Sequence, residues 1–258
     1  MAASMSEAGT VAGRPCASYT DPRLAAVYDP LNPPDAADAF YLDLAGDRPL
    51  TILDVGCGTG RLATALAERG QRVTGADPAG AMLDVARRRP GGDRVRWVEG
   101  TAGTLALGPA FDLIIMTGHV FQVFLEDNAV LAALSNLREH LAPGGKLAFE
   151  MRNAAVRDWE TWTPDETREV VQVPGIGPVE VFHDIAAVDG RLVTFETHFV
   201  FGPGDTGFTE STLRFMDHDE VERFVEAAEL RAQAWYGDWD RSAIADDSPE
   251  IIVIAGRG

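Results

Sequence analysis

Residues 51–60 read TILDVGCGTG, and this stretch decides the fold. Its first half is apolar and β-prone, which predicts a short buried strand. Gly56, Gly58 and Gly60 follow at once, and glycine allows the backbone to turn sharply without a Cβ clash. The next residues carry leucines at helical spacing and end at Gly70, so they predict a helix. Strand, glycine turn and helix form the first half of a nucleotide-binding unit.

The second half of that unit follows directly in the sequence. Residues 72–76 predict another strand, and Asp77 stands at its end, 23 residues after Asp54. An acidic residue about 20 positions past such glycines is placed to hold a ribose diol. The glycines fall as G-x-G-x-G, whereas a dinucleotide site has G-x-G-x-x-G. This spacing argues against NAD as the ligand.

Five motifs in order indicate a family. DVGCGTG at 54–60 resembles the first motif of class I S-adenosylmethionine-dependent methyltransferases, and ADPAGAMLDVA at 76–86 resembles their second. The stretches VRWVEGTA (95–102), FDLIIMTGH (111–119) and LAPGGKLAFE (141–150) are similar to the family's third strand, fourth strand and the turn before its fifth strand. The resemblance covers residues 19–151 and resumes more weakly from 214 to the end.

The resemblance implies a fold and an activity. The fold would be a doubly wound, Rossmann-like α/β domain whose seven-stranded sheet is mostly parallel. The activity would be transfer of a methyl group to oxygen or nitrogen of a small molecule, such as a secondary metabolite, by in-line displacement. The cofactor would be S-adenosyl-L-methionine, and the product S-adenosyl-L-homocysteine.

The same resemblance implies a cofactor site. The glycines and Asp54 would hold the methionine part, and Asp77 the ribose hydroxyls through charge-assisted hydrogen bonds. Pro78 and Met82 would flank the adenine, although Met82 equally fits the inner face of a helix. The full set of predicted cofactor contacts is Tyr28, Asp54, Gly56, Cys57, Gly58, Gly60, Asp77, Pro78, Met82, Gly100, Thr101, Ala102, Thr117, Gly118 and His119.

The end of the third strand departs from the family's pattern. The family commonly has an aspartate after the glycine there, which holds the adenine amino group. This chain has Gly100, Thr101 and Ala102 instead. Thr101 or a main-chain group must therefore replace that carboxylate.

Methyl transfer from a sulfonium mainly requires alignment and desolvation. A general base is needed only where the acceptor must lose a proton. His119 follows the fourth strand and is the predicted base; its alternative role is to orient that loop. The predicted substrate contacts are Glu150, Arg152, Trp159 and His183. A salt bridge between Glu150 and Arg152, and a bracing role for Trp159, are the alternatives.

Alternating apolar residues over about 168–215 predict antiparallel strands joined by turns. Such an insertion after the fifth strand would project from the carboxyl edge of the sheet, where ligands bind in open α/β folds. The predicted organisation is a flexible arm at 1–18, a methyltransferase domain at 19–151 and 214–258, and a substrate-covering β insertion at 152–213.

Periodicity also places the remaining elements of the core. Residues 19–45 predict short helices over the cofactor cleft, broken at Asn32-Pro33-Pro34, with Tyr28 as the cofactor contact; a plain packing role is the alternative for Tyr28. A helix is expected at 127–140, the fifth strand at 146–149, a helix capped by Asp217, and two last strands at 231–237 and 251–255.

Composition limits the partners. The net charge is −18, with 40 acidic against 22 basic residues, so nucleic acid and anionic membranes are disfavoured. No apolar run approaches the roughly 20 residues that span a bilayer, and residues 1–15 lack the pattern of a signal peptide. Two cysteines predict no disulfide framework, and no Cys/His spacing predicts a metal site. We therefore expect a cytoplasmic protein with a small-molecule acceptor.

Two other functions fit part of the pattern. A protein could bind the cofactor without transferring methyl, as a regulator or as a non-methylating enzyme, because no base is obvious. A nicotinamide-dependent oxidoreductase fits the strand, turn and acidic residue but not the glycine spacing. A nucleic-acid methyltransferase is disfavoured by the charge and by the lack of an N-P-P-Y motif after the fourth strand.

Overall fold

The computed structural model describes residues 21–108 and 111–258. The predicted arm at 1–18 lies outside the described residues. The helices are α1 (Pro22–Leu31), α2 (Ala36–Ala45), α3 (Arg61–Glu68), α4 (Gly80–Arg88), α5 (Asp127–His140), α6 (Pro164–Thr167) and α7 (His218–Ala227). The strands are β1 (Thr51–Val55), β2 (Arg72–Asp77), β3 (Arg96–Glu99), β4 (Phe111–Met116), β5 (Leu141–Arg152), β6 (Glu169–Val173), β7 (Gly177–Asp189), β8 (Leu192–Gly202), β9 (Asp205–Arg214), β10 (Leu230–Tyr236) and β11 (Glu250–Arg257).

Seven strands form the main sheet, in the order β10-β11-β5-β4-β1-β2-β3. Strands β1 to β5 run parallel to one another, and β11 is antiparallel to both β5 and β10. Parallel neighbours need crossover connections, which place helices over the sheet. Strands β2 and β3 lie on one side of β1, and β4 lies on the other, so the strand order reverses at β1. A crevice is therefore expected at the carboxyl ends of β1 and β4. The predicted Rossmann-like fold is confirmed.

The core lies on both faces of this sheet. In β4, Ile114 and Met116 belong to one buried cluster, while Leu113 and Ile115 belong to the other. All four side chains are buried, so the strand is a continuous apolar run. Each such side chain contributes about 1.5–3 kcal/mol on burial. The two clusters hold the strand ends in place at the carboxyl edge.

Strand β5 begins earlier than the sequence predicts. Residue Phe111 of β4 pairs with Leu141, and Leu113 then pairs with Lys146. The residues between Leu141 and Lys146 therefore bulge out of the ladder, which lets a Pro-Gly-Gly turn remain within a paired strand.

A second sheet follows β5, as predicted. Strands β6, β7, β8 and β9 are antiparallel neighbours in sequence order. The face that carries Val179, Val181 and Phe199 packs on Val27 of α1. The opposite face exposes a row of stacked rings, Phe182, His198 and Phe208. The insertion is thus joined to the amino-terminal helix, while the predicted domain boundaries stay a prediction.

Within residues 21–108 and 111–258, no helix combines the length and apolar character needed to span a bilayer.

Gly60→Ala tests how tightly the glycine turn is packed. Gly60 has φ of 76°, and a Cβ there would overlap the ring of Trp97. Gly70 has φ of 87°, and a Cβ there would have no atom within 4 Å, so Gly70→Ala carries the backbone strain alone. That strain is about 1–2 kcal/mol. We expect Gly60→Ala to lower the urea-unfolding free energy by clearly more than Gly70→Ala does, and equal losses would contradict the close approach.

Candidate active site

The glycine turn after β1 is held by β2. The backbone N–H groups of Gly56 and Cys57 both donate to the carbonyl of Ala76, at 2.7 and 3.1 Å. Gly56, Gly58 and Gly60 all have positive φ, at 74°, 53° and 76°. A Cβ added at Gly58 would meet only the ring of Tyr28, at 3.9 Å, so this glycine leaves space that a ligand could fill.

Asp54, at the end of β1, is the least satisfied carboxylate of the site. It is 1% exposed, and its Oδ1 has no hydrogen-bond partner among the described residues. Burial raises the pKa of Asp54 to about 7, and repulsion by Asp77 and Glu150 acts in the same direction. A ligand ammonium would supply the missing donor and favour ionisation.

Asp77 joins two loops at the end of β2. Its Oδ2 accepts from the backbone N–H of Gly58 at 2.9 Å, and its Oδ1 accepts from that of Ala79 at 2.8 Å. Burial raises the pKa of Asp77, while these two hydrogen bonds oppose the rise. Each carboxylate oxygen keeps a further lone pair. Asp77 can therefore bind hydroxyl groups without releasing the loops.

The residues predicted to lie near the adenine have different surroundings in the structure. Met82 is buried against Ala25 and Ala79, so it has a core role in this structure. The Thr101 hydroxyl lies 2.7 Å from that of Thr104, within the loop after β3. The other residues predicted here are Pro78, which is half-buried, Gly100, whose N–H donates to the Asp77 carbonyl, and Ala102, which is buried.

Helix α1 brings Tyr28 to the glycine turn. A Cβ added at Gly118 would lie 3.9 Å from the Tyr28 hydroxyl, so the ring spans from the turn after β1 to the loop after β4. Burial raises the pKa of Tyr28. The neighbouring Asp29 accepts from the Thr59 hydroxyl at 2.5 Å and pairs with Arg89. The contacts of Asp29 with Thr59 and Arg89 were not predicted from the sequence.

The loop after β4 holds Thr117, Gly118 and His119. The backbone of His119 has φ of 59°, a left-handed conformation, and its N–H donates to Glu150 Oε1 at 2.9 Å. Glu150 is fully buried, and its other oxygen accepts from the Tyr41 hydroxyl. These contacts place Glu150 behind the loop, where it supports the loop backbone, and its predicted contact with substrate stays a prediction.

The His119 side chain points toward β11. Its Nε2 lies 3.0 and 3.1 Å from the two carboxylate oxygens of Glu250. Burial lowers the pKa of His119 to about 4, and Arg152 acts in the same direction. The imidazole is therefore neutral near pH 7. No described residue hydrogen-bonds to Nδ1, and the ring is 20% exposed.

Arg152 does not pair with Glu150. Its Nε lies 3.0 Å from Asp158, its terminal nitrogen donates to Gln122 at 3.2 Å, and its guanidinium lies over Trp162. The alternative of a salt bridge between Glu150 and Arg152 is therefore wrong. A predicted contact of Arg152 with substrate stays a prediction.

The two remaining predicted substrate residues lie in the insertion. Trp159 packs on Phe215 with ring centroids 4.3 Å apart, which is the bracing role. His183 Nδ1 lies 3.1 Å from the Thr197 hydroxyl. Burial and then the charge of Arg152 lower the pKa of His183, so this face of the insertion approaches the end of β5. Their contact with substrate stays a prediction.

Glu250 is another site residue that the sequence did not predict. It opens the last strand and pairs in register with Arg152 at the end of β5. Because β11 runs antiparallel, its first residue meets the carboxyl ends of the parallel strands. A charged residue directly before the apolar run IIVIA is the signal that could have identified it.

The fold and these groups define a Rossmann-like protein with a nucleoside site built on a glycine turn. The family model for the methyltransferase domain matches residues 52–145. The chain is 36% identical over 115 residues to the cypemycin N-terminal methyltransferase of a Streptomyces species, covering 43% of this chain and 47% of that relative. It is 30% identical over 172 residues to a ubiquinone biosynthesis O-methyltransferase of Cereibacter sphaeroides, covering 56% of this chain and 68% of the relative.

Solved structures agree with this fold. CcbJ methyltransferase from Streptomyces caelestis superposes with a TM-score of 0.77 at 22% identity, covering 93% of this chain and 98% of that one. The amino pentose methyltransferase CalS10 from Micromonospora echinaspora has a TM-score of 0.66 at 25% identity, covering 90% and 95%. The chain belongs to the S-adenosylmethionine-dependent methyltransferases. It spans about half the length, or less, of the first two curated relatives that it matches.

Asp54→Asn should remove the ammonium site. We expect the affinity for S-adenosylhomocysteine to fall strongly, because an amide cannot balance a positive charge. In the unsubstituted protein, the raised pKa of Asp54, about 7, means that binding strengthens as the carboxyl ionises. Between about pH 6 and pH 8 the affinity should rise roughly 10-fold, the change in the ionised fraction. Calorimetric titration measures both effects.

Asp112→Asn is the matched control. Asp112 lies at the amino end of β4, at the opposite edge of the sheet, where it accepts from the backbone N–H of Thr51. This variant should bind S-adenosylhomocysteine with the same pH dependence as the unsubstituted protein. Unchanged affinity and pH dependence in Asp54→Asn would contradict the assignment.

Proposed function

We propose that this protein transfers the methyl group of S-adenosylmethionine to an oxygen or nitrogen atom of a small molecule. The observation that carries the proposal is the placement of the His119 imidazole, with Nδ1 free of any described partner, at the sheet edge that also holds the glycine turn. A base beside a nucleoside site could take the proton that the methyl acceptor loses in a displacement reaction.

The residues present fit the cofactor. Gly58 leaves space beside Tyr28, Asp54 has an unpaired buried oxygen for the amino group, and Asp77 has free lone pairs for the ribose. When bound, S-adenosylmethionine supplies an electrophilic methyl group on a sulfonium centre. The chain's own groups would then hold the ligand in line and keep water out.

His119 would handle the acceptor proton. The acceptor would gain a C–O or C–N bond in place of the C–S bond of the sulfonium, neutral S-adenosylhomocysteine would leave, and the proton on that oxygen or nitrogen would move to His119 Nδ1. Burial lowers the pKa of His119 to about 4, so near pH 7 the ring is neutral and carries a free lone pair. Glu150 would hold the His119 main chain in its left-handed conformation, which directs the ring across the edge of the sheet.

Relatives support both acceptor atoms. The cypemycin enzyme is named for methylation of an N-terminus, the ubiquinone biosynthesis enzyme for O-methylation, and CalS10 for an amino pentose. The net charge of −18 favours a small acceptor over nucleic acid. With only two cysteines, the chain suits a reducing compartment, and we place its action in the cytoplasm.

The test is methyl transfer from isotope-labelled S-adenosylmethionine to a panel of amines, amino sugars, phenols and carboxylic acids. We expect a labelled product with at least one class. His119→Ala should keep S-adenosylhomocysteine affinity and lower kcat at least about 100-fold for an acceptor that must lose a proton.

His198→Ala is the control, because His198 lies on the outer face of the insertion between Phe182 and Phe208. It should leave kcat unchanged. Tight cofactor binding with no transfer to any acceptor would favour the non-methylating alternative. Normal turnover in His119→Ala would reduce His119 to orienting the loop.

A further inference from the structure

Glu250 is held in place independently of His119. Its backbone N–H donates to the carbonyl of Gly237 at 3.0 Å, and its strand pairs in register with β5. The side chain is 10% exposed. Both of its oxygens face one nitrogen, His119 Nε2, at 3.0 and 3.1 Å. The carboxylate therefore meets the ring at a fixed point.

This contact selects one form of the imidazole. A neutral imidazole carries its proton on one nitrogen and a lone pair on the other. An ionised carboxylate can only accept, so it stabilises the form with the proton on Nε2. The lone pair then lies on Nδ1, the nitrogen without a described partner. A second carboxylate, Glu150, holds the backbone N–H of the same residue.

We infer that Glu250 is the positioning residue of the reaction: it keeps His119 protonated on Nε2, so that Nδ1 can take the acceptor proton, and it stabilises the imidazolium that forms. The inference rests on the proposed function for its catalytic meaning. The tautomer itself can be observed without turnover.

Protonation of Glu250 would reverse this effect. A protonated carboxyl can donate to Nε2, which favours the form with the ring proton on Nδ1, and Nδ1 can then accept nothing. Burial raises the pKa of Glu250 to about 7, opposed by Arg152. Activity should therefore rise with pH through about 7, although the pKa of His119 itself is lowered to about 4.

Other charges surround the pair. The groups that act on either partner come from β5, from the loop after it, from the residue that caps α2 and from the loop after β10; they are Glu150, Arg152, Asp158, Asp35 and Asp238. Arg152 opposes protonation of His119, and the carboxylates favour it. The Tyr41 hydroxyl faces Glu150. Since none of these other groups is described as bonded to Nε2, the tautomer depends on Glu250.

The first experiment is nitrogen NMR of the full-length protein, labelled at its five histidines and saturated with S-adenosylhomocysteine. His119→Ala identifies the His119 signals. We expect a protonated Nε2 and an unprotonated Nδ1 at about pH 8, with the proton moving to Nδ1 near pH 6. In Glu250→Gln the pH dependence should vanish, and in Glu250→Ala a mixture of tautomers should appear.

Glu196→Gln is the matched control, because Glu196 lies 2.9 Å from His198 in a similar pair outside the site. It should alter only the His198 signals. Circular dichroism and the thermal midpoint of each variant establish that it is folded; Glu250→Gln keeps the volume of the side chain. A His119 ring protonated on Nδ1 at all pH values, or unchanged in folded Glu250→Gln, would overturn the inference.

The second experiment uses an acceptor identified in the transfer screen. Glu250→Gln should lower kcat by roughly 10- to 100-fold, less than the loss of the base itself, with KM unchanged and the inflection near pH 7 removed. The effects of Glu250→Gln and His119→Ala should not add in the double variant. Additive effects would overturn the inference.

The two proposals fail differently. If the tautomer behaves as expected but no acceptor is methylated, the proposed function is wrong, while Glu250 still determines the tautomer of the His119 ring. If His119→Ala abolishes turnover but Glu250→Gln changes neither kcat nor the pH profile, the function stands and the role of Glu250 is overturned.

Discussion

The carboxyl edge of the main sheet holds four buried carboxyl groups, and the site depends on how each is supplied with hydrogen-bond donors. They are Asp54, Asp77, Glu150 and Glu250. A charge taken out of water costs several kcal/mol unless donors replace the lost hydration. Two backbone N–H groups serve Asp77, a phenol and a backbone N–H serve Glu150, and an imidazole serves Glu250. Of these four groups, only Asp54 keeps a buried oxygen for which the described residues provide no donor.

The buried carboxyl group of Asp54 affects stability and ligand binding in opposite ways. The apolar clusters on the two faces of the sheet are large, so the fold can keep a carboxyl group in an unfavourable setting. At pH values between the ordinary pKa of Asp54 and the raised value of about 7, the group binds a proton more readily in the folded chain than in the unfolded chain. The stability that its neutral form contributes is therefore lost as pH rises through about 7. A cationic ligand favours the ionised form of Asp54 instead, because it is attracted by the negative charge of the carboxylate.

Helix α1 links the cofactor side of the site to the insertion. Val27 packs among the valines of β6 and β7, while Tyr28 lies over the glycine turn and Asp29 is bonded to Thr59 and Arg89. Three consecutive residues thus contact three different parts of the molecule. This is possible because neighbouring side chains of a helix point in different directions.

Local spacing was enough to predict the fold and the cofactor edge. The strand and glycines at 51–60 and the acid at 77 are close in sequence, and their geometry depends on backbone rules that act over a few residues. The alternation that predicts the second sheet, and the helix at 127–140, are local signals of the same kind. The family motifs add the order of the strands.

The sequence by itself therefore determined the α/β class, the antiparallel insertion and the residues at the carboxyl ends of the parallel strands. Only the tertiary structure decided which groups meet there. Tyr41 bonds Glu150 and His119 bonds Glu250 across 109 and 131 residues of chain. Such pairs depend on which strands become neighbours in the sheet, and a strand's period of two shows which residues share a face but not what faces them. That is why the partners of Glu150 could not be predicted from the sequence and Glu250 was missed.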